Sequence, residues 1–148
     1  VARAMHLLEM VGLNGFEGKR PSQLSGGMRQ RASLCRAIVH KPDVLIMDEP
    51  FGALDAFTRE DLWQTMRDLR AAEPFTCVLI THDLRESIYL GDQVFVLSGR
   101  PARTQMVLTV DLPANRSLDI LYEPQAQRML HTLRDQIRIA QGRDGGAH

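Results

Sequence analysis

Hydrophobic and polar residues are distributed in blocks along the middle of this chain. Predominantly apolar runs occupy residues 44–47, 77–81 and 94–98, and short continuous apolar runs are typical of strands buried on both faces of a parallel sheet. The segments between them, at about residues 57–72 and 84–90, are predicted to be helical. The order strand, helix, strand, helix, strand therefore predicts an α/β core with right-handed crossovers.

Helical patterns lie on both sides of this core. Residues 28–40 contain neither glycine nor proline and repeat apolar side chains at helical spacing, and a C-terminal helix is predicted to begin at Pro124. We expect three parts. They are residues 1–39, the C-terminal part of a helical subdomain; residues 40–110, part of the α/β core; and residues 111–148, a C-terminal extension with a helix.

The composition is that of an ordinary globular domain. Of the 148 residues, 44% are hydrophobic and 24% are charged, and 18 basic residues balance 18 acidic ones. This balance gives no indication of a surface for nucleic acid or for anionic lipid. No apolar run approaches the roughly 20 residues that a membrane-spanning helix needs. Two cysteines without metal-ligand spacing are typical of a reducing compartment.

A triplet of small residues, Ser25-Gly26-Gly27, opens the helix predicted at residues 28–40. The first N–H groups of a helix have no intrahelical acceptor and lie at the positive end of its dipole, so they suit an anion such as phosphate. Glycine lets that anion approach the backbone closely. Taken alone, such a triplet is more often an ordinary helix start with a serine N-cap.

Acidic and imidazole side chains follow two of the apolar runs. Asp48 and Glu49 end the first run, and His82 follows the second. Because ligands of open α/β sheets bind at the carboxyl ends of the strands, we expect these three side chains to lie along one rim. Each has an ordinary structural interpretation in isolation, but their common placement favours a functional one.

In order and spacing, these motifs resemble the ATPase subunits of the ATP-binding cassette (ABC) transporter family. Residues 24–31 resemble its signature motif, residues 44–48 its Walker B strand, residues 52–55 its D-loop, and His82 its switch histidine. The resemblance implies a partial P-loop NTPase (RecA-like) core with a parallel sheet. Residues 48–55 are similar to the importer branch, and within it the chain resembles the nitrate, sulfonate and taurine uptake group.

The resemblance also implies a role for each matched residue. Asp48 is expected to bind Mg²⁺ through a water, Glu49 to polarise the water that attacks ATP, and His82 to contact the γ-phosphate. The remaining nucleotide-site residues that it implies are Ser25, Gly26, Gly27, Gln30 and Asp55. Ser25 and Gly27 would hold the γ-phosphate of ATP bound to the opposite subunit, and Asp55 would lie at the dimer interface.

The function that follows from the resemblance is ATP hydrolysis coupled to substrate uptake. The ATPase would act as a homodimer or with a second ATPase subunit, at the cytoplasmic face of the membrane. It would drive a transmembrane permease that receives cargo from a periplasmic or extracellular substrate-binding protein. No nucleic-acid partner is expected.

One element of the family is absent from the sequence. A P-loop reads Gly-x-x-x-x-Gly-Lys-Ser/Thr, whereas Gly12 and Gly18 are one residue too far apart and Arg20 replaces the hydroxyl residue. We therefore expect a chain truncated at its N-terminus, poorly stable and inactive as an ATPase by itself. Two alternatives stay open: a P-loop-less regulatory or interaction module, and a chromosome-maintenance or DNA-repair ATPase, although no heptad coiled coil is present.

Overall fold

The computed structural model describes residues 1–142, which form two units by contact, Val1–Thr81 and the part of His82–His148 that is described. The last six residues of the predicted C-terminal extension, 143–148, lie outside the described residues. The predicted division into three parts stays a prediction, because these units reflect contacts within this chain alone.

The first unit combines helices with a small parallel sheet. Its elements are α1 (Ala2–Met10), a 3₁₀ helix (Pro21–Gln23), α2 (Gly26–Ile38), β1 (Val44–Asp48), α3 (Ala56–Ala72) and β2 (Thr76–Ile80). Strands β1 and β2 pair in parallel, with Val44 opposite Thr76 and Asp48 opposite Ile80. The two helices predicted at residues 28–40 and 57–72 and the two strands predicted at residues 44–47 and 77–81 are confirmed to within two residues at each end.

Burial alternates along both strands, contrary to the prediction of two buried faces. Val44, Ile46, Val78 and Ile80 are 47–68% exposed, whereas Met47 is buried. The prediction of burial on both faces is wrong for the residues that the structure describes, because only one face of this two-stranded sheet is covered. A continuous apolar run specifies a strand but cannot specify what lies over each face.

Helix α3 contributes four side chains to the core of the first unit. Leu62, Trp63, Met66 and Leu69 recur at helical spacing and are each no more than 2% exposed. Trp63 is therefore a packing residue of this core. Asp55 caps the start of this helix, and its side chain accepts a hydrogen bond from the backbone N–H of Thr58.

Arg3 joins three elements of the first unit. Its guanidinium donates to the carbonyls of Ile38 (2.9 Å) and Val39 (2.8 Å), at the C-terminal end of α2. It also forms a two-point ion pair with Glu73, just after α3, with one N–O distance of 2.6 Å. A cation there satisfies orphan carbonyls and complements the helix dipole. The Arg3 hydrogen bonds lower the pKa of Glu73 below its usual range.

Arg3→Met is expected to lower the free energy of unfolding by about 2 kcal/mol, because it leaves the half-buried carbonyls of Ile38 and Val39 without their charged donor. Urea unfolding measures the loss. Since the folded pKa of Glu73 is depressed, the ion pair stabilises above the unfolded pKa and weakens as pH falls through the folded one. The difference in the free energy of unfolding between the wild type and the Arg3→Met variant should therefore become smaller at acidic pH.

The exposed Arg36, in the last turn of α2, provides the control for this substitution. Arg36→Met should change stability by no more than about 0.5 kcal/mol. Equal losses from the two substitutions would mean that Arg3 acts only through its charge on α2, and not through the contacts with Glu73 and the carbonyls.

The second unit contains α4 (Leu84–Leu90), β3 (Gln93–Leu97), β4 (Thr104–Thr109), a 3₁₀ helix (Leu118–Tyr122) and α5 (Pro124–Ala140). Strands β3 and β4 form an antiparallel hairpin that α5 contacts. The helix predicted at residues 84–90, the strand predicted at residues 94–98 and the C-terminal helix are confirmed. Within residues 1–142, β3 pairs with β4 and with no other strand, so its predicted place in a parallel sheet is not observed.

Buried polar groups of the second unit pair across its elements. The guanidinium of Arg116 donates to the carbonyl of Ile88 (3.0 Å), and the Tyr89 hydroxyl donates to the carbonyl of Arg116 (3.3 Å). Both bonds hold residues 113–117, an irregular segment, against α4. Across the described residues, no helix has the length and apolar character needed to cross a bilayer.

Candidate functional site

Ser25 forms the N-cap of α2, which is the ordinary structural interpretation of this triplet, and its predicted contact with nucleotide stays a prediction. Its Oγ accepts a hydrogen bond from the N–H of Met28 (3.2 Å), and its carbonyl accepts one from the N–H of Arg29 (2.9 Å). Ser25 and Gly26 are exposed. Because the first N–H groups of a helix have no intrahelical acceptor, this end of α2 presents donors to an anion at the surface.

Glu49 follows β1 in an unusual backbone conformation. Its φ angle is 46°, in the left-handed region, which costs a residue with a side chain about 1–2 kcal/mol. Its N–H donates to the carbonyl of Ile80 (2.8 Å), so the pairing of β1 with β2 continues through it. Such outliers concentrate at functional sites. Glu49 is exposed, and its Oε2 lies beside the backbone of Gly52.

The loop that follows Glu49 is anchored at both ends. Phe51 is completely buried, and the N–H of Gly52 donates to the carbonyl of Glu49 (3.4 Å). At the far end, Asp55 accepts hydrogen bonds from the N–H (3.0 Å) and the hydroxyl (2.6 Å) of Thr58. These bonds, the hydroxyl bond first, hold the pKa of Asp55 below its usual range. Asp55 is therefore ionised at neutral pH.

Three contacts bring the start of α2 against this loop. The amide of Gln30 donates to the carbonyl of Pro50 (2.7 Å). Gly26 and Gly27 face Leu54 and Thr58, respectively. The structure therefore brings the predicted signature residues and the predicted D-loop together within one unit. The predicted contact of Gln30 with nucleotide stays a prediction, and what is observed is its bond to the loop.

His82 is the first residue of the second unit and is exposed. The neighbouring Asp83 forms the N-cap of α4 and accepts hydrogen bonds from the N–H groups of Arg85 and Glu86. The predicted place of His82 along the same rim as Asp48 and Glu49 stays a prediction.

Two carboxylates at the end of β1 are available to the predicted Mg²⁺. Asp48 and Glu49 are consecutive exposed carboxylates at the end of β1. Within residues 1–142, no group of three or more His, Cys, Asp or Glu side chains is arranged to hold a metal by itself. Mg²⁺ commonly takes only one or two protein carboxylates and completes its coordination with substrate phosphates and water. Asp48 therefore fits a metal that is shared with a nucleotide.

The two cysteines have no part in this site. Cys35 is buried on α2, and burial raises the pKa of its thiol to about 11. Burial also raises the pKa of Cys77, on β2. Because the thiolate is the reactive form, neither side chain is a suitable nucleophile at neutral pH, and both serve as small apolar residues.

Sequence reasoning missed two residues of the site. Phe51 is the buried anchor of the loop, although it lies among polar and small residues. Thr58 binds both carboxylate oxygens of Asp55 and touches the start of α2. The spacing of Asp55 and Thr58 is that of an N-cap and its partner, and this signal could have identified the bond to Asp55. The contact with α2 has no local signal.

Comparison with known proteins gives several related matches. Residues 1–52 match the family model described as ABC transporter. The chain is 45% identical over 111 residues to the aliphatic sulfonates import ATP-binding protein SsuB of Bacillus licheniformis. This match covers 75% of the chain and 44% of the relative. It is 39% identical over 136 residues to an uncharacterized ABC transporter ATP-binding protein of Methanocaldococcus jannaschii, covering 90% and 51%.

The chain also matches solved structures of ABC transporter cassettes. A dimeric bacterial ABC transporter cassette is 31% identical with a TM-score of 0.58, and the match covers 74% of this chain and 46% of that one. A post-hydrolysis state of a cassette bound to ADP and Pi matches at 30% identity, with the same TM-score and coverage. These matches confirm the predicted P-loop NTPase fold class. The chain spans about half the length of the curated relatives it matches.

Proposed function

Because this chain belongs to the ABC transporter family of ATP-binding proteins, we propose that it is part of the ATP-hydrolysing subunit of an importer. The observation that carries the proposal is that two surface features lie within the same unit of the structure. These are an exposed helix start suited to phosphate, at Ser25, and an exposed carboxylate on a left-handed backbone, at Glu49. Gln30 joins the two through Pro50.

Each residue has a distinct task in the proposed reaction. Glu49 accepts a hydrogen bond from the attacking water and takes up its proton, and Asp48 holds the metal. Mg²⁺, when bound with ATP, neutralises charge that develops on the phosphates. His82 contacts the γ-phosphate and responds to its loss. This assignment is supported by the position of both acids at a strand end.

The helix start at Ser25 serves a different nucleotide from the one that Glu49 hydrolyses. Ser25, Gly26 and Gly27 would donate backbone and hydroxyl hydrogens to the γ-phosphate of ATP on a second subunit, with Asp55 at the interface between the two. A two-fold dimer then contains two such composite sites, and ATP holds it closed until hydrolysis. The dimeric cassette among the structural matches supports this arrangement.

The transport partners follow from the relatives. SsuB of Bacillus licheniformis is described as an aliphatic sulfonates import ATP-binding protein, so a small sulfonate is the cargo we propose. A transmembrane permease would bind the ATPase at the cytoplasmic face of the membrane and pass on its closure and opening. An extracytoplasmic binding protein would deliver the cargo.

The test is ATP hydrolysis by the full-length protein, alone and with its permease in vesicles that carry a sulfonate-binding protein. We expect hydrolysis that rises with bound sulfonate and is accompanied by sulfonate uptake. Absence of hydrolysis under both conditions would contradict the ATPase assignment. Hydrolysis without any response to sulfonates would contradict the cargo alone.

A second candidate is a P-loop-less interaction module, which the lack of a P-loop motif in these 148 residues favours. Such a module would bind a partner ATPase without hydrolysing ATP. The upstream gene sequence distinguishes the two: an in-frame P-loop supports the ATPase, and a start codon near Val1 supports the module.

A further inference from the structure

The two glycines at the start of α2 have different surroundings. A Cβ atom added to Gly26 would lie 3.9 Å from Leu54 Cδ2, an ordinary contact. A Cβ atom added to Gly27 would lie 2.8 Å from Thr58 Cγ2, closer than real side chains approach. Packing within the chain therefore requires glycine at position 27 and tolerates a methyl group at position 26.

Thr58 cannot easily turn its methyl group away from Gly27. Its hydroxyl donates to Asp55 Oδ2 (2.6 Å), and its N–H donates to Asp55 Oδ1 (3.0 Å). A β-branched side chain has few rotamers in a helix, and rotating the methyl away would break the hydroxyl bond. Asp55 thus fixes the direction in which the methyl group of Thr58 points.

We propose that Thr58 is a positioning residue of the signature helix: its methyl group fills the space left by the missing side chain of Gly27 and sets where the start of α2 lies. Gln30 holds the same end of the helix to the loop at Pro50. The first N–H groups of α2 are therefore aimed by a residue outside the signature. Only the identity of the ligand that these N–H groups bind rests on the proposed function.

This role differs from a simpler explanation of Gly27. If glycine is needed only so that a phosphate can approach the backbone, then the identity of residue 58 is irrelevant. If the contact with Thr58 matters, then removing its methyl group must relieve a side chain at position 27. Thr58→Ser removes the methyl and keeps the hydroxyl for Asp55, whereas Thr58→Val keeps a methyl and loses the hydroxyl.

The experiment compares three variants of the full-length protein. They are Gly27→Ala alone, the double variant Gly27→Ala with Thr58→Ser, and the double variant Gly27→Ala with Thr58→Val. The single variants at Thr58 are the references. Gly27→Ala should lower Tm by about 3–8 °C through overpacking. Adding Thr58→Ser should restore Tm to within about 2 °C of Thr58→Ser alone, and adding Thr58→Val should not. Gly26→Ala, which meets no close neighbour, should leave Tm unchanged or slightly raised. Failure of the serine variant to restore Tm would overturn the proposal.

A second readout separates positioning from stability. Gly27→Ala should raise the ATP concentration for half-maximal dimer formation by about 10-fold while the affinity of one subunit for ATP stays constant, and Thr58→Ser should reverse the change. Recovery of Tm without recovery of dimer formation would overturn the positioning role. If the wild-type protein forms no ATP-driven dimers, the proposed function fails. In that case the contact between Gly27 and Thr58 is still tested by Tm and by the hydrogen exchange of residues 24–34.

Discussion

Glu49→Gln in the full-length protein should reduce ATP turnover by about 10²–10⁴-fold, the usual contribution of a general base, while ATP-driven dimers still form. Glutamine is isosteric with glutamate and retains the backbone bond to Ile80, but its amide cannot accept the proton of the attacking water. Turnover is measured by phosphate release, and dimer formation by light scattering with ATP. Wild-type turnover in this variant would contradict the role of Glu49.

Two further variants separate the chemistry of Glu49 from its backbone. Glu9→Gln makes the same change on the exposed surface of α1 and should leave turnover unchanged. Glu49→Gly should reduce turnover to a similar extent, but should raise the free energy of unfolding by about 1 kcal/mol, because glycine adopts the left-handed conformation without a steric cost. A loss of stability in that variant would show that Glu49 is held by its side-chain contacts.

Ser25→Arg should prevent ATP-driven dimer formation while one subunit still binds ATP. Ser25 is exposed at the start of α2, and a long side chain there would fill the space into which the partner's nucleotide must enter. Losing the cap to Met28 should lower the free energy of unfolding by about 1 kcal/mol, too little to unfold the protein. Light scattering measures dimers, and equilibrium dialysis measures binding.

The controls for Ser25→Arg test its charge and its cap separately. Ser22→Arg adds the same side chain at an exposed position of the preceding 3₁₀ helix and should leave dimer formation intact. Ser25→Ala removes the cap without adding bulk, so it should weaken dimer formation less than arginine does. ATP-driven dimers of undiminished yield with Ser25→Arg would mean that the helix start does not face a second subunit.

The predictions that succeeded concern short stretches of sequence. The apolar run before Asp48, the glycine-free segment after Gly27 and the helical spacing around Trp63 each contain the local information that defines an element. Burial was predicted less well, because Ile46 and Val78 are exposed. Whether the second face of a strand is covered depends on what packs over it, and a run of apolar residues carries no information about that.

Local periodicity, helix capping and motif spacing are properties of neighbouring residues. They were therefore enough to predict the elements of this chain, its resemblance to a family and the residues of the candidate nucleotide site. The contacts of Arg3 with Glu73, Gln30 with Pro50 and Gly27 with Thr58 became known from the fold. The members of these pairs are separated by 70, 20 and 31 positions, and a contact between them arises only once the helices pack.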